Sequence, residues 1–460
     1  MTDVNQKSTR NKQTSTRKEF SEMTETRNKS IINLLSSTVL ALALAFSFAL
    51  PAFAASGPNG TVEGDKDHPA EAAITKILEV PVGTDSPAAI FKFLVTPVAV
   101  EGSSDQADLD SMPVIGTNGT VEIDLSSGAT EVVDGGVKQI IKETTNLFDK
   151  IIWTHTGVYT YHISEVKDTY TCSTSVPIEQ MTYSDGEYDI SVYVDRADDG
   201  SLYIRYIGAL VVTPGAPGQN GNDKVDPTPG GDPSVTGDYS QMIFTNSYLK
   251  INTPDTPDPI TDGVLIISKN ITGGTLADPE QYFDFDVTIS NPATVIDPTR
   301  TYKAYVIDGN GIVSPIPGNQ APASAIKNDG KNDYIEFTTA TLTQIQLKGG
   351  ESLSFVDLPV GSLFDVQEID PKNYTASYVV TVNGVMEESM SASSAGSSLG
   401  MSQAFYTGEK YNCAAFTNTY RDITPMGIAV DNIPYIVILC LALALVTVIG
   451  VFSVKTSKKS

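Results

Sequence analysis

Three polar residue types recur where a strand pattern expects apolar ones. Residues i, i+2 and i+4 of a strand share one face. On that spacing Lys76 falls with Ile74 and Leu78, Glu165 with Tyr161 and Ile163, and Asn246 with Phe244 and Tyr248. The same order recurs downstream. Lys269 falls with Leu265, Ile267 and Ile271, Glu368 with Phe364 and Val366, and Asn418 with Phe416 and Tyr420. A buried, unpaired charge is costly, so such residues must compensate or consume one another. Desolvation lowers a lysine pKa and raises that of a glutamic acid. A neutral lysine amine is a nucleophile and can attack an asparagine side-chain amide. A protonated Glu can assist the proton transfers so that ammonia leaves. The product is an isopeptide crosslink between strands. Taken singly, each residue has a plainer reading: an edge lysine with its head in water, a solvated strand end, a turn asparagine. The ordered trio occurring twice favours the chemistry, with Lys76/Asn246 and Lys269/Asn418 as crosslinking pairs and Glu165 and Glu368 as catalytic acids. In the first trio Lys92 is an alternative nucleophile.

The elements that must position these residues read as strands. "GVYTYHISEV", "YDISVYV", "LYIRYIGALVV", "YIEFTTATLTQIQL" and "YTASYVVTVNG" are short and rich in Val, Ile, Thr and aromatics, with Gly, Asp, Asn or Pro at their borders. The fold class is all-β, of sandwich type. The best helical window is 137–152, "VKQIIKETTNLFDKII", which predicts a short crossing helix. Internal similarity divides the chain. Residues 72–95 lie against 265–287, each with a lysine in an apolar strand and Phe-x-Phe further on. "GVYTYHISEVKDTYT" lies against "GSLFDVQEIDPKNYT", and "MIFTNSYLK" (242–250) against "AAFTNTYRD" (414–422). Two tandem domains follow, 60–250 and 262–421, with linker 251–261 between them. A Pro/Gly-rich insertion, 213–238, precedes the last strand of the first. The Ser/Met/Gly-rich stretch 386–402 reads as a mobile loop.

The chain ends bear on location. Residues 1–54 read as a signal peptide with a long n-region, cleaved between Ala54 and Ala55 after Ala52-Phe53-Ala54. Residues 433–454, "IPYIVILCLALALVTVIGVFSV", carry no charge and as a helix would be roughly 33 Å long, enough to span a bilayer. The 455–460 tail with Lys455, Lys458 and Lys459 is cytoplasmic on that reading, and the region between is exported. A formal charge of −25 argues against nucleic-acid binding and suits solubility. Of three cysteines, Cys440 lies in the apolar tail, so Cys172 and Cys413 give no disulfide framework. Only His68, His155 and His162 are present, and no H-E-x-x-H, paired C-x-x-C or G-x-S-x-G occurs. "DGNG" (308–311) is a turn signal that lacks the spaced oxygens of a Ca²⁺ loop. No cofactor and no metal are expected.

"TKILEV…FKF", "YTYHISEV", "ISKNITG…FDFDV", "LPVGSLFDVQE" and the two FTN-x-Y endings resemble the Lys/Glu/Asn isopeptide domains of Gram-positive surface pilins, of the streptococcal major-pilin type. The resemblance covers most of 60–421. It implies an immunoglobulin-like sandwich for each domain, with the bond joining first strand to last and the Glu on the facing sheet. It also implies processing by sortase at a motif before the hydrophobic span. Within 422–432, Thr424, Pro425, Met426 and Gly427 resemble a shortened sorting signal, with Met426 where the family usually has Thr. Partners implied are sortase, then peptidoglycan or neighbouring pilin subunits, with the membrane as a holding point before processing. No clear pilin lysine motif is present; Lys224 and Lys250 are candidates for subunit attachment. The leading expectation is a structural cell-surface or pilus subunit that is not an enzyme beyond its own crosslinking. The alternative is an adhesin with a non-cleaved membrane anchor, contacting an unknown host or matrix ligand through loops such as 97–119, 137–152 or 386–410. A tethered secreted enzyme is a third reading, with no visible site.

Overall fold

The computed structural model describes residues 62–235 and 237–420. The signal peptide, its Ala54/Ala55 cleavage point, the Thr424-Pro425-Met426-Gly427 motif, the 433–454 span and the basic tail all lie outside the described residues.

Alternating apolar residues dictate strands almost throughout. In chain order the first set is β1 (Val62–Glu63), β2 (Thr75–Pro81), β3 (Ile90–Val100), β4 (Thr120–Asp124), β5 (Thr130–Asp134), β6 (Val137–Glu143), β7 (Gly157–Glu165), β8 (Ile178–Thr182), β9 (Glu187–Arg196), β10 (Leu202–Thr213), β11 (Lys224–Val225) and β12 (Ile243–Ile251). A single helical turn, α1 (Gln106–Leu109), interrupts them. These strands form two sheets, β1-β10-β9-β7-β3-β4 with β11 beside β10, and β5-β6-β2-β12-β8. Between them lies one core, with Phe91, Phe93, Tyr159, Tyr161, Tyr188 and Phe244 fully buried.

The second set runs β13 (Leu265–Thr272), β14 (Tyr282–Ser290), β15 (Thr301–Ile307), β16 (Ile326–Asn328), β17 (Asp333–Thr338), β18 (Thr341–Lys348), β19 (Ser352–Phe355), β20 (Leu363–Ile369), β21 (Tyr374–Val382), β22 (Val385–Ser391), β23 (Leu399–Gly400), β24 (Phe405–Tyr406) and β25 (Cys413–Tyr420). Its sheets are β16-β17-β15-β19-β13-β25-β21-β22 and β18-β14-β20-β23, with β24 beside β20. A separate core fills the space between them. The protein is all-β, built as two sandwiches.

Both sandwiches place their first long strand beside their last. β2 runs parallel to β12, with Lys76 opposite Phe244 and Leu78 opposite Asn246. β13 runs parallel to β25, with Lys269 opposite Phe416 and Ile271 opposite Asn418. Lysine and asparagine are therefore offset by two positions on neighbouring strands, and both point to the same face.

Two expectations are corrected, and the insertion gains a defined place. The 137–152 window is not a crossing helix: its first half is β6, which pairs antiparallel with β2 and sets Ile141 opposite Ile77 and Ile140 opposite Leu78. Two adjacent isoleucines mimic a helical stripe, but both are buried as the neighbour of the lysine strand. The 386–402 stretch is not simply a loop, because Val385–Ser391 pairs with β21 at the sheet edge. Its side chains are mostly exposed, so no inward apolar pattern marks it in sequence. The 213–238 insertion is fastened down. Lys224–Val225 pairs with β10, and Glu143 accepts hydrogen bonds from the Ser240 and Gly230 amides.

Candidate functional site

In the first sandwich Lys76 rises from β2 into the core, where it has no exposed surface. Glu165, at the end of β7, descends from the opposite sheet. Lys76 Nζ donates to Glu165 Oε1 at 2.9 Å and Oε2 at 3.0 Å. Asn246 Nδ2 donates to the same Oε1 at 2.8 Å. One carboxylate thus bridges the amine and the amide. Asn246 Oδ1 faces away from it and accepts the Ser184 backbone N–H at 2.7 Å. The Phe91 ring lies under the ammonium, 4.5 Å from Nζ to its centroid.

The second sandwich repeats the arrangement. Lys269 Nζ and Asn418 Nδ2 each donate to Glu368 Oε1 at 2.6 Å. The Phe283 ring lies 4.4 Å from Nζ and the Phe285 ring 5.5 Å. All three polar residues are buried. Among the described residues, Glu368 Oε2 and Asn418 Oδ1 have no hydrogen-bond partner. The Phe-x-Phe strands explain the shared geometry. β3 sets Phe93 opposite Glu165, and β14 sets Phe285 opposite Glu368. In each sandwich the phenylalanine strand walls the pocket on the glutamate's own sheet.

Burial dominates the electrostatics. Desolvation pulls the Lys76 pKa down to about 7, against the opposing pull of Glu165, and the Lys167 cation nearby lowers it further. Desolvation likewise lowers Lys269 to about 8, again against its glutamate. It raises Glu368 above the ordinary carboxylate range, with Lys269 and Asn418 opposing. In a low-dielectric pocket the proton can pass from ammonium to carboxylate at small cost. That yields a free amine next to an amide and a carboxylic acid able to donate.

The remaining sequence candidates fall elsewhere. Lys92 lies on the outer face of β3 and pairs with Glu122 at 2.8 Å, half exposed, so it is not at the site. Lys224 is exposed on β11. Lys250 is largely buried and pairs with Glu409 of the second sandwich at 2.8 Å, which occupies its amine. Cys172 and Cys413 are free thiols. Sequence reasoning missed Ser184, whose contribution is a main-chain N–H and leaves no mark in residue type beyond a turn signal.

Residues 72–249 match the family model described as Spy0128-like isopeptide containing domain. Residues 263–398 match a domain of unknown function, DUF7601, in a match that includes Lys269 and Glu368 but stops short of Asn418. No curated protein matches the chain. Among solved structures, the major pilin from Streptococcus pyogenes is 18% identical, covering 77% of this chain and 100% of that chain at a TM-score of 0.29. The S. pyogenes major pilin T3.2 is 19% identical over 78% of this chain and 99% of that chain, at 0.27. The pilus-presented adhesin Spy0125 (Cpa) is 18% identical over 52% of this chain and 37% of that chain, at 0.22. Residues 72–249 are therefore similar to the Spy0128-like isopeptide containing domain, the pilin type that the sequence resembles.

Proposed function

We propose that the protein is a structural subunit of a bacterial surface fibre whose two sandwiches crosslink themselves through Lys76–Asn246 and Lys269–Asn418 bonds. One observation carries this reading: twice, a carboxylate from the facing sheet holds a buried lysine amine and an asparagine amide on adjacent first and last strands. A buried ion pair built only for stability gains little over apolar packing. A reactive trio explains why lysine, carboxylate and amide are buried together. Glu165 and Glu368 move protons, lysine supplies the nucleophile, and asparagine loses ammonia. The reaction occurs once per site and has no external substrate. Anchoring by sortase at Thr424-Pro425-Met426-Gly427, after export, completes the proposal on sequence grounds alone.

Peptide mass mapping of the full chain, as produced in a bacterial host, tests it. The expected result is two branched peptides, 76 joined to 246 and 269 joined to 418, each lighter by one ammonia than its unlinked parts. Glu165→Ala should abolish the first and leave the second, and Glu368→Ala the reverse. Linear peptides only, at both sites, would refute the crosslinks.

A further inference from the structure

We propose that the Ser184 backbone N–H is an oxyanion-stabilising donor for crosslinking at Asn246, a group with no counterpart among the described residues around Asn418. This inference rests on the isopeptide reading and adds a catalytic group to it.

The argument starts from the amide's orientation. A backbone N–H can only donate, so the atom it meets at 2.7 Å must be the amide oxygen. Nδ2 then faces Glu165 Oε1. The amide is held at both ends, with its leaving nitrogen on the acid and its oxygen on a fixed dipole. When Lys76 Nζ attacks Cγ, the new C–N bond forms and the carbonyl electron pair moves onto Oδ1. Glu165, having taken a proton from the ammonium, gives it to Nδ2. The Cγ–Nδ2 bond breaks, the pair returns from Oδ1 to Cγ, and the remaining Nζ proton passes to the carboxylate or out with the leaving group. Starting from ammonium and carboxylate, the products are the isopeptide and either ammonium with Glu165 as carboxylate or ammonia with Glu165 protonated, so atoms and charge balance. The charge on Oδ1 exists only between these events, which is where a preorganised donor accelerates a reaction.

The donor is braced by its surroundings. Ser184 is buried and follows the end of β8, which pairs with β12 so that Thr182 lies opposite Ser247, next to the reactive asparagine. Its Oγ accepts the Gly186 N–H at 3.0 Å. Its carbonyl accepts from Lys167 Nζ, and the same ammonium pairs with Asp185 at 2.7 Å. Tyr183 meets the edge of Phe91, the ring beneath the reactive lysine. A side chain at Gly186 would come within 2.6 Å of Gly215 Cα, so the turn is packed against the backbone that leads out of β10. At the second site Asn418 Oδ1 is buried without a partner.

Isotope pulse-labelling of the full chain, with timed peptide mapping, tests the role. Ser184→Ala keeps the N–H and loses only the Oγ brace on Gly186, so it should crosslink 76–246 far faster than a variant without the N–H. Ser184→Pro removes the N–H and should slow that bond by about a hundredfold, the usual cost of one lost oxyanion donor. The 269–418 bond, as internal control, should keep its rate. Equal 76–246 rates in the two variants would overturn the inference while leaving the crosslink itself standing; absence of both bonds from the unsubstituted chain would instead overturn the underlying reading. If the proline variant does not fold, amide exchange decides. In Lys76→Ala, where no bond can form, the Ser184 amide should exchange at least about tenfold more slowly than in Lys76→Ala/Asn246→Ala. Equal exchange would remove the hydrogen bond and the proposal with it.

Discussion

A lysine buried without exposed surface is an unusual residue, and its titration gives a direct handle on whether it has reacted. Asn246→Ala leaves Lys76 as a free amine with a pKa lowered to about 7 from the ordinary 10.5. Between those values the unfolded chain holds a proton that the folded chain has released. Stability therefore rises with pH across that window, and below about 7 the full penalty of a buried charge is present. In the crosslinked protein the same nitrogen is an amide and contributes no slope. Denaturation of Asn246→Ala and unsubstituted protein from pH 6 to pH 10 should show the extra rise only in the variant. Parallel pH profiles would mean that Lys76 is unreacted in both. The six residues of the two buried trios were legible because alternation marks a polar residue on an apolar face. Lys92 was excluded only by its outward side chain and its pairing with Glu122. Ser184 was not legible, since any residue other than proline supplies the same N–H.

At the scale of strands, sequence and structure diverge where local pattern and tertiary pairing compete. β7 and β12, and in the second sandwich β13 and β20, carry clean alternation and are strands, whereas β2 is buried on both faces. The 137–152 window offers both periods at once, and pairing with β2 decides for strand. The edge strand β22 has no buried face to reveal it. The family models show a similar limit. The second sandwich matches a model different from the first and ending before its last strand, yet it holds its lysine and asparagine in the same places on parallel neighbours and its glutamate on the facing sheet. The proposed bond from residue 269 to residue 418 would enclose nearly the whole second sandwich. Closing a loop of that length stabilises by on the order of 5 kcal/mol in the chain-entropy picture. Lys269→Met substitutes an apolar side chain of similar length, so the loss of the bond dominates the change. Guanidinium unfolding should lose about that amount from one transition while the first sandwich's transition stays in place. An unchanged midpoint for both transitions would indicate that no bond had been present.

Across the whole molecule, the two sandwiches meet at a built junction. Glu409 accepts from Lys250 Nζ at 2.8 Å and from the Asp85 backbone N–H at 2.7 Å. The Val360 N–H donates to the Lys250 carbonyl at 3.0 Å. Gly361, at φ +84°, leaves room for Pro81, whose Cβ would stand 2.3 Å from any side chain there. Glu409→Ala strands the Lys250 ammonium in a largely buried position, which costs more than an exposed pair would. Small-angle scattering should then show a broader distribution of intersandwich distances, with both crosslinked peptides retained. An unchanged scattering profile would assign the junction to apolar and backbone contacts alone.

The pairing of first strand with last has a mechanical consequence. Tension applied along a fibre would enter the first sandwich near Lys76 and, once the bond has formed, leave near Asn246 through a single covalent step. It would cross the short run to Lys269 and pass directly to Asn418 in the same way. The folded residues between each pair would hang off this line as unloaded side loops. Between Lys76 and Asn418, only the stretch from Asn246 to Lys269, where Lys250 and its carbonyl grip the second sandwich, would be able to lengthen under load. Such a chain would resist pulling through its covalent spine and keep its compliance in one place, the junction.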